Sequence, residues 1–222
     1  LQKSERKFKQ IRILGISCQI KFLNILWETN YMKVKEIENN LSKMLKKTRY
    51  EHVLRVRDKA IELAKLYNQD VTKIELAALL HDCAKNNEEM YLDKYKKEFE
   101  ELRDLRGKNS DMDNPKLLHC YLGRIVANKE YGVNDEEILD AIEFHTTGRT
   151  NMTDFEKIIY LADKTEDKRD YDDVDEIRRL SKINLNKAIV KSLDDTIKYL
   201  IEGEREISIT SVNVRNYLLK GV

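Results

Sequence analysis

Four histidines and two aspartates are the residues of this sequence whose types and spacing could support chemistry. The clearest of them lie in Leu76–Lys85, where an uninterrupted apolar run leads into His81-Asp82, and Lys85 follows three residues later. A helix that is apolar on most sides is buried, and a buried histidine–aspartate pair needs a partner for its polar atoms. A metal ion would satisfy both side chains, so this stretch predicts a metal site.

The other histidines support the same interpretation. The sequence contains only four histidines, and each lies on, or at the end of, a segment whose apolar stripe would face a core: His52, His81, His119 and His145. A single histidine on such a stripe is more often a hydrogen-bonded core residue than a ligand. Four of four, joined by Asp82 and Asp163 in similar settings, favour one metal centre, because separate buried histidines would each need a partner.

The six side chains offer nitrogen and oxygen ligands. Imidazole and carboxylate without thiolate suit iron, manganese, nickel or zinc rather than a cysteine-type structural zinc site. Six such ligands are more than one ion needs. A carboxylate can bridge two ions, and a two-metal centre can lower the pKa of a bound water and hold phosphoryl oxygens. The ligand set therefore favours a dinuclear hydrolase.

The three cysteines, Cys18, Cys83 and Cys120, form no CxxC pair. An odd number of cysteines without a secretory signal favours reduced thiols and a cytoplasmic location. Cys83 directly follows Asp82 and Cys120 directly follows His119, which leaves a ligand role open. We expect both to pack as small apolar residues, because free cysteine usually behaves in that way.

The composition predicts the frame that must position these residues. The 222-residue chain has one proline and seven glycines, and its charged and apolar residues alternate at helical spacing, so we expect an all-α, single-domain bundle. Asp70, Thr153 and either Asn134 or Asp135 are the expected N-caps. Helices are predicted over residues 33–47, 49–67, 71–85, 90–102, 115–131, 136–144, 154–166, 174–180, 185–202 and 211–219.

The chain ahead of the first patterned helix is basic and irregular. We interpret residues 1–32 as an N-terminal extension of unknown role before a domain of residues 33–222. Ile11–Trp27 is interrupted by charged residues and is shorter than the ~20 residues of a spanning helix, so we expect no membrane anchor. The net charge of +1 provides no general attraction to nucleic acid or to an anionic membrane. Residues 106–114 form a polar loop that is a candidate lid or specificity element.

The order of the ligands resembles a known family. His52, then His81-Asp82, then Asp163 resembles the HD superfamily of metal-dependent phosphohydrolases, and His119 with His145 resembles its dinuclear branch. From about residue 33 to the C-terminus the motifs look like the bacterial YqeK family: Arg49-Tyr-Glu-His52, His81-Asp-Cys-Ala-Lys85, Leu117-Leu-His-Cys-Tyr-Leu-Gly123, His145-Thr-Thr-Gly-Arg149, Tyr160-Leu-Ala-Asp-Lys164 and Arg215-Asn-Tyr-Leu218. Cys120-Tyr121 departs from the smaller residues expected there, which bears on the shape of the pocket and not on the metal.

The resemblance implies an HD-type helical bundle and a symmetrical bis(5'-nucleosyl)-tetraphosphatase, which cuts diadenosine tetraphosphate into two ADP at a di-iron centre. It implies that one ion is held by His52, His81, Asp82 and Asp163. It further implies that Asp82 bridges to a second ion held by His119 and His145.

The chemistry of the residues predicts roles around that centre. We expect a metal-bound water to attack a phosphorus of the polyphosphate, with Asp82 and Lys85 as catalytic residues and no separate base. Phosphate contacts are expected from Lys85, from the turn that contains Thr146 and Gly148, and from Arg149 and Arg169.

Two alternatives stay open. Another HD-type phosphohydrolase, such as a nucleotidase or nucleoside triphosphate hydrolase with one ion, would not need His119 and His145. A non-catalytic nucleotide-sensing module would keep the site as a binding platform, which Lys85, Asp82 and Arg149 make less favoured. The expected partner is a dinucleoside polyphosphate or a nucleotide, without nucleic acid or membrane, and a homodimer stays open.

Overall fold

A computed structural model describes residues 34–107 and 111–220 of the chain. The predicted N-terminal extension, with Ile11–Trp27, lies outside the described residues, as do positions 108–110 of the polar loop. Within the described ranges the chain forms α-helices, one 3₁₀ helix (Asp111–Asp113) and no strand, which confirms the expected all-α, single-domain fold. The α-helices are α1 (Val34–Met44), α2 (Lys47–Leu66), α3 (Val71–Leu80), α4 (Glu88–Lys94), α5 (Lys96–Arg106), α6 (Leu118–Tyr131), α7 (Glu136–Phe144), α8 (Asp154–Thr165), α9 (Val174–Ser181), α10 (Leu185–Glu202) and α11 (Ile209–Leu219).

Side-chain caps set the starts of the helices that surround the centre of the molecule. Asp70 accepts hydrogen bonds from the backbone N–H groups of Thr72 and Lys73 at the start of α3. Asp135 caps α7, and Thr153 forms a capping box with Glu156 at the start of α8. These caps satisfy amide groups that have no partner inside a helix, so the chain enters each helix at a defined residue.

The core lies where α2, α3 and α8 pack together, with α7 against both α3 and α8. Helix α3 is buried on most sides, because every residue from Leu76 to Leu80 is buried. The chain that follows α3 is therefore delivered into the interior. None of the helices in the two described ranges is long and apolar enough to cross a membrane.

The predicted helix over residues 71–85 is too long at its C-terminal end. Helix α3 ends at Leu80, and the next residues form tight turns in which Cys83 N donates to Leu80 O and Lys85 N donates to Asp82 O. Asn86 then adopts a left-handed conformation with φ of 68°. These turns replace the i to i−4 hydrogen bonds of a helix, which ends it before His81.

Two other predicted boundaries are also wrong. The single helix over residues 90–102 is divided at Tyr95, whose ψ of 32° separates α4 from α5. The helix expected to open at Pro115 begins at Leu118, because the Asn114 carbonyl accepts from both Leu117 N and Leu118 N and holds the intervening residues in a turn.

Candidate metal centre

All six predicted metal ligands are buried, with exposed fractions between 0 and 6 %. They come from separate parts of the chain and meet between the helices. His52 lies on α2, His119 in the first turn of α6, and Asp163 near the end of α8. His81 and His145 are the C-cap residues of α3 and α7, and Asp82 follows His81. The structure brings together the complete set that the sequence predicted.

Asp82 occupies the middle of this set, and its two carboxylate oxygens face different histidine pairs. Oδ2 lies 3.5 Å from His81 Nε2 and 3.9 Å from His52 Nε2. Oδ1 lies 3.4 Å from His119 Nε2 and 3.7 Å from His145 Nε2. A carboxylate in this position can contribute one oxygen to each of two cations.

Asp163 adds a second carboxylate on one side only, because its Oδ1 lies 3.1 Å from His52 Nε2. We call His52, His81 and Asp163, on the Oδ2 side of Asp82, the first ligand group. We call His119 and His145, on the Oδ1 side, the second ligand group. The rings of His81 and His145 meet edge to face with centroids 5.0 Å apart, so the two groups adjoin.

Outer hydrogen bonds orient three of the four imidazole rings. The Nδ1 atoms of His81 and His145 lie 2.7 Å from the carbonyl oxygens of Ala78 and Ile142, respectively. His52 Nδ1 lies 3.2 Å from Glu166 Oε1. Carbonyl oxygens and the ionised Glu166 carboxylate can only accept a hydrogen bond, so Nδ1 carries a proton in His52, His81 and His145. Whenever such a ring is neutral, its lone pair is on Nε2. This orientation of metal-binding histidines by outer acceptors is usual in metal sites.

Two of the resulting lone pairs have no hydrogen-bond partner. The Nε2 atoms of His52 and His81 are buried and unsatisfied, and both face carboxylate oxygens, which are also acceptors. Buried acceptors that face one another are costly unless a cation lies between them. The residues therefore fit a divalent metal ion, and imidazole and carboxylate are suitable ligands for it.

The protonation of Asp82 and of the first ligand group favours cation binding. Burial lowers the pKa of His81 to about 4 despite the opposing charge of Asp82, so the ring is neutral at pH 7. Burial alone would raise the pKa of the Asp82 carboxyl, but the surrounding histidines and Arg49 lower it below its usual range. The pKa of Asp163 is likewise lowered against its burial, by Lys164, His52 and Arg169. Neutral imidazole and charged carboxylate are the ligand forms that a metal requires. At the second group burial alone would lower the pKa of His145, but Cys120 raises it to about 9, so an ion there must replace a ring proton.

Cys120 lies beside polar atoms, whereas we expected it to pack as a small apolar residue. Its Sγ lies 3.4 Å from His119 Nε2 and 3.3 Å from Thr146 Oγ1, and it can group with His119 and His145 around an ion. Burial alone would raise the pKa of this thiol, but His145 and His119 lower it to about 5. The available sequence signal was its place directly after His119. The expectation holds for Cys83, which is buried in the apolar core.

Arginine side chains reach the two carboxylates from the solvent side. Arg49 Nη1 lies 2.7 Å from Asp82 Oδ2, and Arg169 Nη2 lies 2.6 Å from Asp163 Oδ1. The two arginine side chains are 30 % and 35 % exposed, so each connects a buried carboxylate to the protein surface. Arg169 was a predicted phosphate contact, whereas Arg49 was noted only as part of a motif.

Lys85 contacts the second ligand group directly. Its Nζ lies 2.9 Å from His119 Nδ1. An ammonium group can only donate, so His119 Nδ1 accepts, unlike the corresponding atoms of His81 and His145. The ring proton of His119 then lies on Nε2, the atom that faces Asp82. A metal ion at that Nε2 requires this arrangement to change.

The remaining predicted phosphate contacts lie in the turn after α7. Thr146 reaches the second ligand group through Cys120. Gly148 has a φ of 70°, and a Cβ there would lie 3.0 Å from Met152 Cε, so a side chain would be strained and crowded. Arg149 forms two hydrogen bonds with the buried carboxylate of Glu156, of 2.5 and 3.0 Å. The guanidinium of Arg149 is therefore held against α8.

The chain is similar to proteins of known family. Residues 49–167 match the model of the HD domain, a range that includes all six predicted ligands. A symmetrical bis(5'-nucleosyl)-tetraphosphatase of Halalkalibacterium halodurans is 42% identical over 176 residues, 77% of this chain and 89% of the relative. The enzyme of the same name from Bacillus subtilis is 36% identical over 183 residues, 82% of this chain and 95% of the relative.

A solved structure supports the same relationship. The crystal structure of a protein from Clostridium acetobutylicum, described as a predicted HD superfamily hydrolase involved in NAD metabolism, has a TM-score of 0.79 and 41% sequence identity to this chain. The match covers 86% of this chain and all of that chain. The chain therefore belongs to the HD-domain family and, within it, to the group of the symmetrical bis(5'-nucleosyl)-tetraphosphatases, which confirms the resemblance seen in the sequence.

Proposed function

We propose that the protein hydrolyses diadenosine tetraphosphate into two ADP at a centre that holds two divalent metal ions around Asp82. The observation that carries this proposal is the pair of Asp82 oxygens, each facing its own two histidines. The names of the relatives from Halalkalibacterium halodurans and Bacillus subtilis support the choice of substrate and the symmetrical cleavage.

The first ion would be held by the first ligand group with Asp82 Oδ2, and the second by the second ligand group with Asp82 Oδ1. Iron is our first assignment for both, with manganese, nickel and zinc as alternatives, because the ligands are mainly imidazole and carboxylate. When bound, such ions lower the pKa of a water molecule and offset negative charge on phosphoryl oxygens. The buried carboxylates Asp82 and Asp163 would offset two of the four positive charges of two divalent ions.

The reaction itself needs one water molecule. The water oxygen forms a bond to one of the two central phosphorus atoms, and the oxygen that bridges these atoms leaves with the electrons of the broken bond. Each product is ADP, and the two protons of the water pass to solvent when both new terminal phosphates are fully ionised. Asp82 acts as the central ligand, and no separate side-chain base is required.

Cationic side chains around the centre would bind the polyphosphate. Arg169 is partly exposed and adjoins a ligand carboxylate, so it can exchange that contact for a phosphate oxygen. Lys85 can do the same when His119 takes up an ion, because its present contact requires an accepting Nδ1 atom. Thr146, Gly148 and Arg149 are also assigned to substrate binding, for which Arg149 would exchange its contact with Glu156 for a phosphate oxygen. Bidentate arginine contacts would fix the phosphates in register.

The rest of the assignment concerns the chain as a whole. We assign residues 33–222 as the catalytic domain and residues 1–32 as an extension. A cytoplasmic location is consistent with the free thiols of Cys83 and Cys120. Nucleic acid and membrane are not required as partners.

Product analysis tests the reaction. Iron-loaded protein is incubated with diadenosine tetraphosphate, and the nucleotides are separated and quantified, with Asp82→Asn protein as the background control. ADP as the sole product supports the proposal. AMP with ATP would contradict symmetrical cleavage, and the absence of any product would favour a nucleotide-sensing module. Turnover of ATP or AMP in place of the dinucleotide would favour a nucleotidase.

A further inference from the structure

We propose that the sulfur of Cys120 is a further ligand of the second ion, so that the centre contains one nitrogen–oxygen site and one sulfur-containing site. The inference rests on the proposed two-ion centre and adds a protein ligand to it. It also gives the two ions different chemical surroundings.

The geometry around Cys120 supports this role. Ligand atoms of His119, Cys120 and His145 all lie within 4.8 Å of one another, and all three residues are buried. Asp82 Oδ1 lies 3.4 Å from His119 Nε2 and 3.7 Å from His145 Nε2. Two nitrogens, one oxygen and one sulfur therefore occupy the same small volume, and four such atoms can complete a tetrahedral site.

The local fold explains how adjacent residues reach one site. His119 and Cys120 lie in the first turn of α6, and the helix is buried at every position from His119 to Gly123. Neighbouring helical side chains point about 100° apart, so on a surface helix only one of them would face the interior. Here both can do so, because the beginning of α6 is enclosed by the rest of the bundle.

Cys83 provides an internal comparison. It follows a ligand as Cys120 does, and it is 1 % exposed. Its Sγ, however, contacts the carbonyl oxygen of Gly123 at 3.5 Å, and it is part of the apolar core cluster. Cys120 contacts His119 Nε2 and Thr146 Oγ1 instead. The two buried thiols therefore differ in their neighbours although their sequence settings are alike.

A sulfur ligand has consequences for metal choice. Thiolate is softer than carboxylate and favours zinc or iron(II) over manganese and magnesium. The first ligand group has no cysteine among the residues that the structure describes. The second site would therefore select its ion more strongly than the first.

Cobalt(II) substitution of the full-length protein tests the inference. The metal-free protein is loaded with cobalt(II), the bound ions are counted by mass spectrometry, and the near-ultraviolet sulfur-to-cobalt charge-transfer band is recorded. We expect the band in the parent protein and its loss in Cys120→Ser. The matched control, Cys83→Ser, should keep it, as should the double variant Cys18→Ser/Cys83→Ser, in which Cys120 is the sole cysteine.

X-ray absorption of the zinc-loaded protein provides a second measurement. The parent should show a sulfur neighbour at about 2.3 Å from zinc, and Cys120→Ser should not. The zinc affinity of the second site should fall at least about tenfold in Cys120→Ser.

The outcomes separate this inference from the two-ion proposal. Two bound cobalt ions without a sulfur band in the parent would overturn the role of Cys120 and leave the two-ion centre intact. A band that persists in Cys120→Ser would also overturn it. One bound cobalt ion without the band would overturn both proposals. The parent spectrum decides the matter even if a variant fails to fold.

Discussion

The two ligand groups on either side of Asp82 are built differently. In the first group, His52 and His81 are oriented by Glu166 and by a backbone carbonyl, and their Nε2 atoms have no hydrogen-bond partner. In the second group, His119 contacts Lys85, and His145 lies beside Cys120. The first group is therefore prepared to bind a cation, whereas the second must first give up a contact with an ammonium group.

This difference indicates an order of binding. An ion should enter the first group with little rearrangement, since its ligand lone pairs already point at one another. Binding at the second group must displace Lys85 from His119. The released side chain of Lys85 is one that we assign to a substrate phosphate. The first ligand group would therefore serve to hold an ion, whereas ion binding at the second group would also free a side chain for the substrate.

Asp82, which faces both ligand groups, gives the largest expected effect on turnover when it is replaced. Asp82→Asn removes a charge that faces both groups while it keeps the size of the side chain, so both ions should bind more weakly. We expect turnover of diadenosine tetraphosphate to fall by at least about 100-fold, with a parallel loss of bound metal. Asp104→Asn, an exposed position on α5, is the matched control. Turnover of Asp82→Asn within tenfold of the parent would contradict the central role of Asp82.

The first group can be weakened through its outer contact. Glu166 is buried, lies 3.2 Å from His52 Nδ1 and also binds Arg55. Glu166→Gln should lower metal affinity of the first site by about 10- to 100-fold, because outer partners of histidine ligands have effects of that size. Titration calorimetry of the metal-free protein measures it, with exposed Glu89→Gln as the control. An equal loss at both sites would argue against separate groups.

The metal affinity of the second ligand group should rise, rather than fall, when Lys85 is replaced. Lys85→Met removes a positive charge and the donor that occupies His119 Nδ1, so the second ion should bind about tenfold more tightly. At the same time KM for diadenosine tetraphosphate should rise, because a phosphate contact is lost. Metal titration and steady-state kinetics measure the two effects, and Lys43→Met on the exposed side of α1 is the control. Unchanged metal affinity would show that Lys85 does not oppose the ion.

A smaller effect is expected in the pH dependence of the free energy of unfolding of the metal-free protein. The pKa of His81 is lowered to about 4 by burial, whereas an unfolded histidine titrates near 6.5. Below the unfolded value the unfolded chain takes up a proton that folded His81 does not, so stability falls as pH falls from about 6.5 toward 4. Between pH 7 and pH 5.5 we expect a loss of about 1 kcal/mol in the free energy of unfolding from this residue.

Denaturant unfolding with a chelator present measures this change. Cys120 acts in the same direction above about pH 5, because the pKa of its thiol is lowered to about 5. His145 acts in the opposite direction, because its pKa is raised to about 9 and the folded residue holds a proton that the unfolded one lacks above about pH 6.5. His81→Gln should therefore reduce the slope without abolishing it. The same slope in the parent and in His81→Gln would show that His81 is not neutral in the folded protein.

Many helix positions were predictable from the sequence, because interactions between residues close together in the chain determine them. The caps at Asp70 and Thr153, and the apolar run that ends at Leu80, follow from side-chain hydrogen bonding and from the spacing of apolar residues. The end of α3 was not predictable in the same way. No proline or glycine marks it, and the turns after Leu80 are held within a buried part of the fold.

The sequence by itself determined which six residues bind metal in our proposal, since histidines and aspartates on apolar stripes stand out without any coordinates. Only the tertiary structure decided which oxygen of Asp82 faces which histidines, and that Arg49, Glu166 and Cys120 join the centre. The physical reason is that residue type and helical period report burial, whereas the neighbours of a buried atom depend on how separate helices pack. Cys83 and Cys120 follow ligands in the same way along the chain, yet packing places one in the apolar core and the other beside the proposed ion.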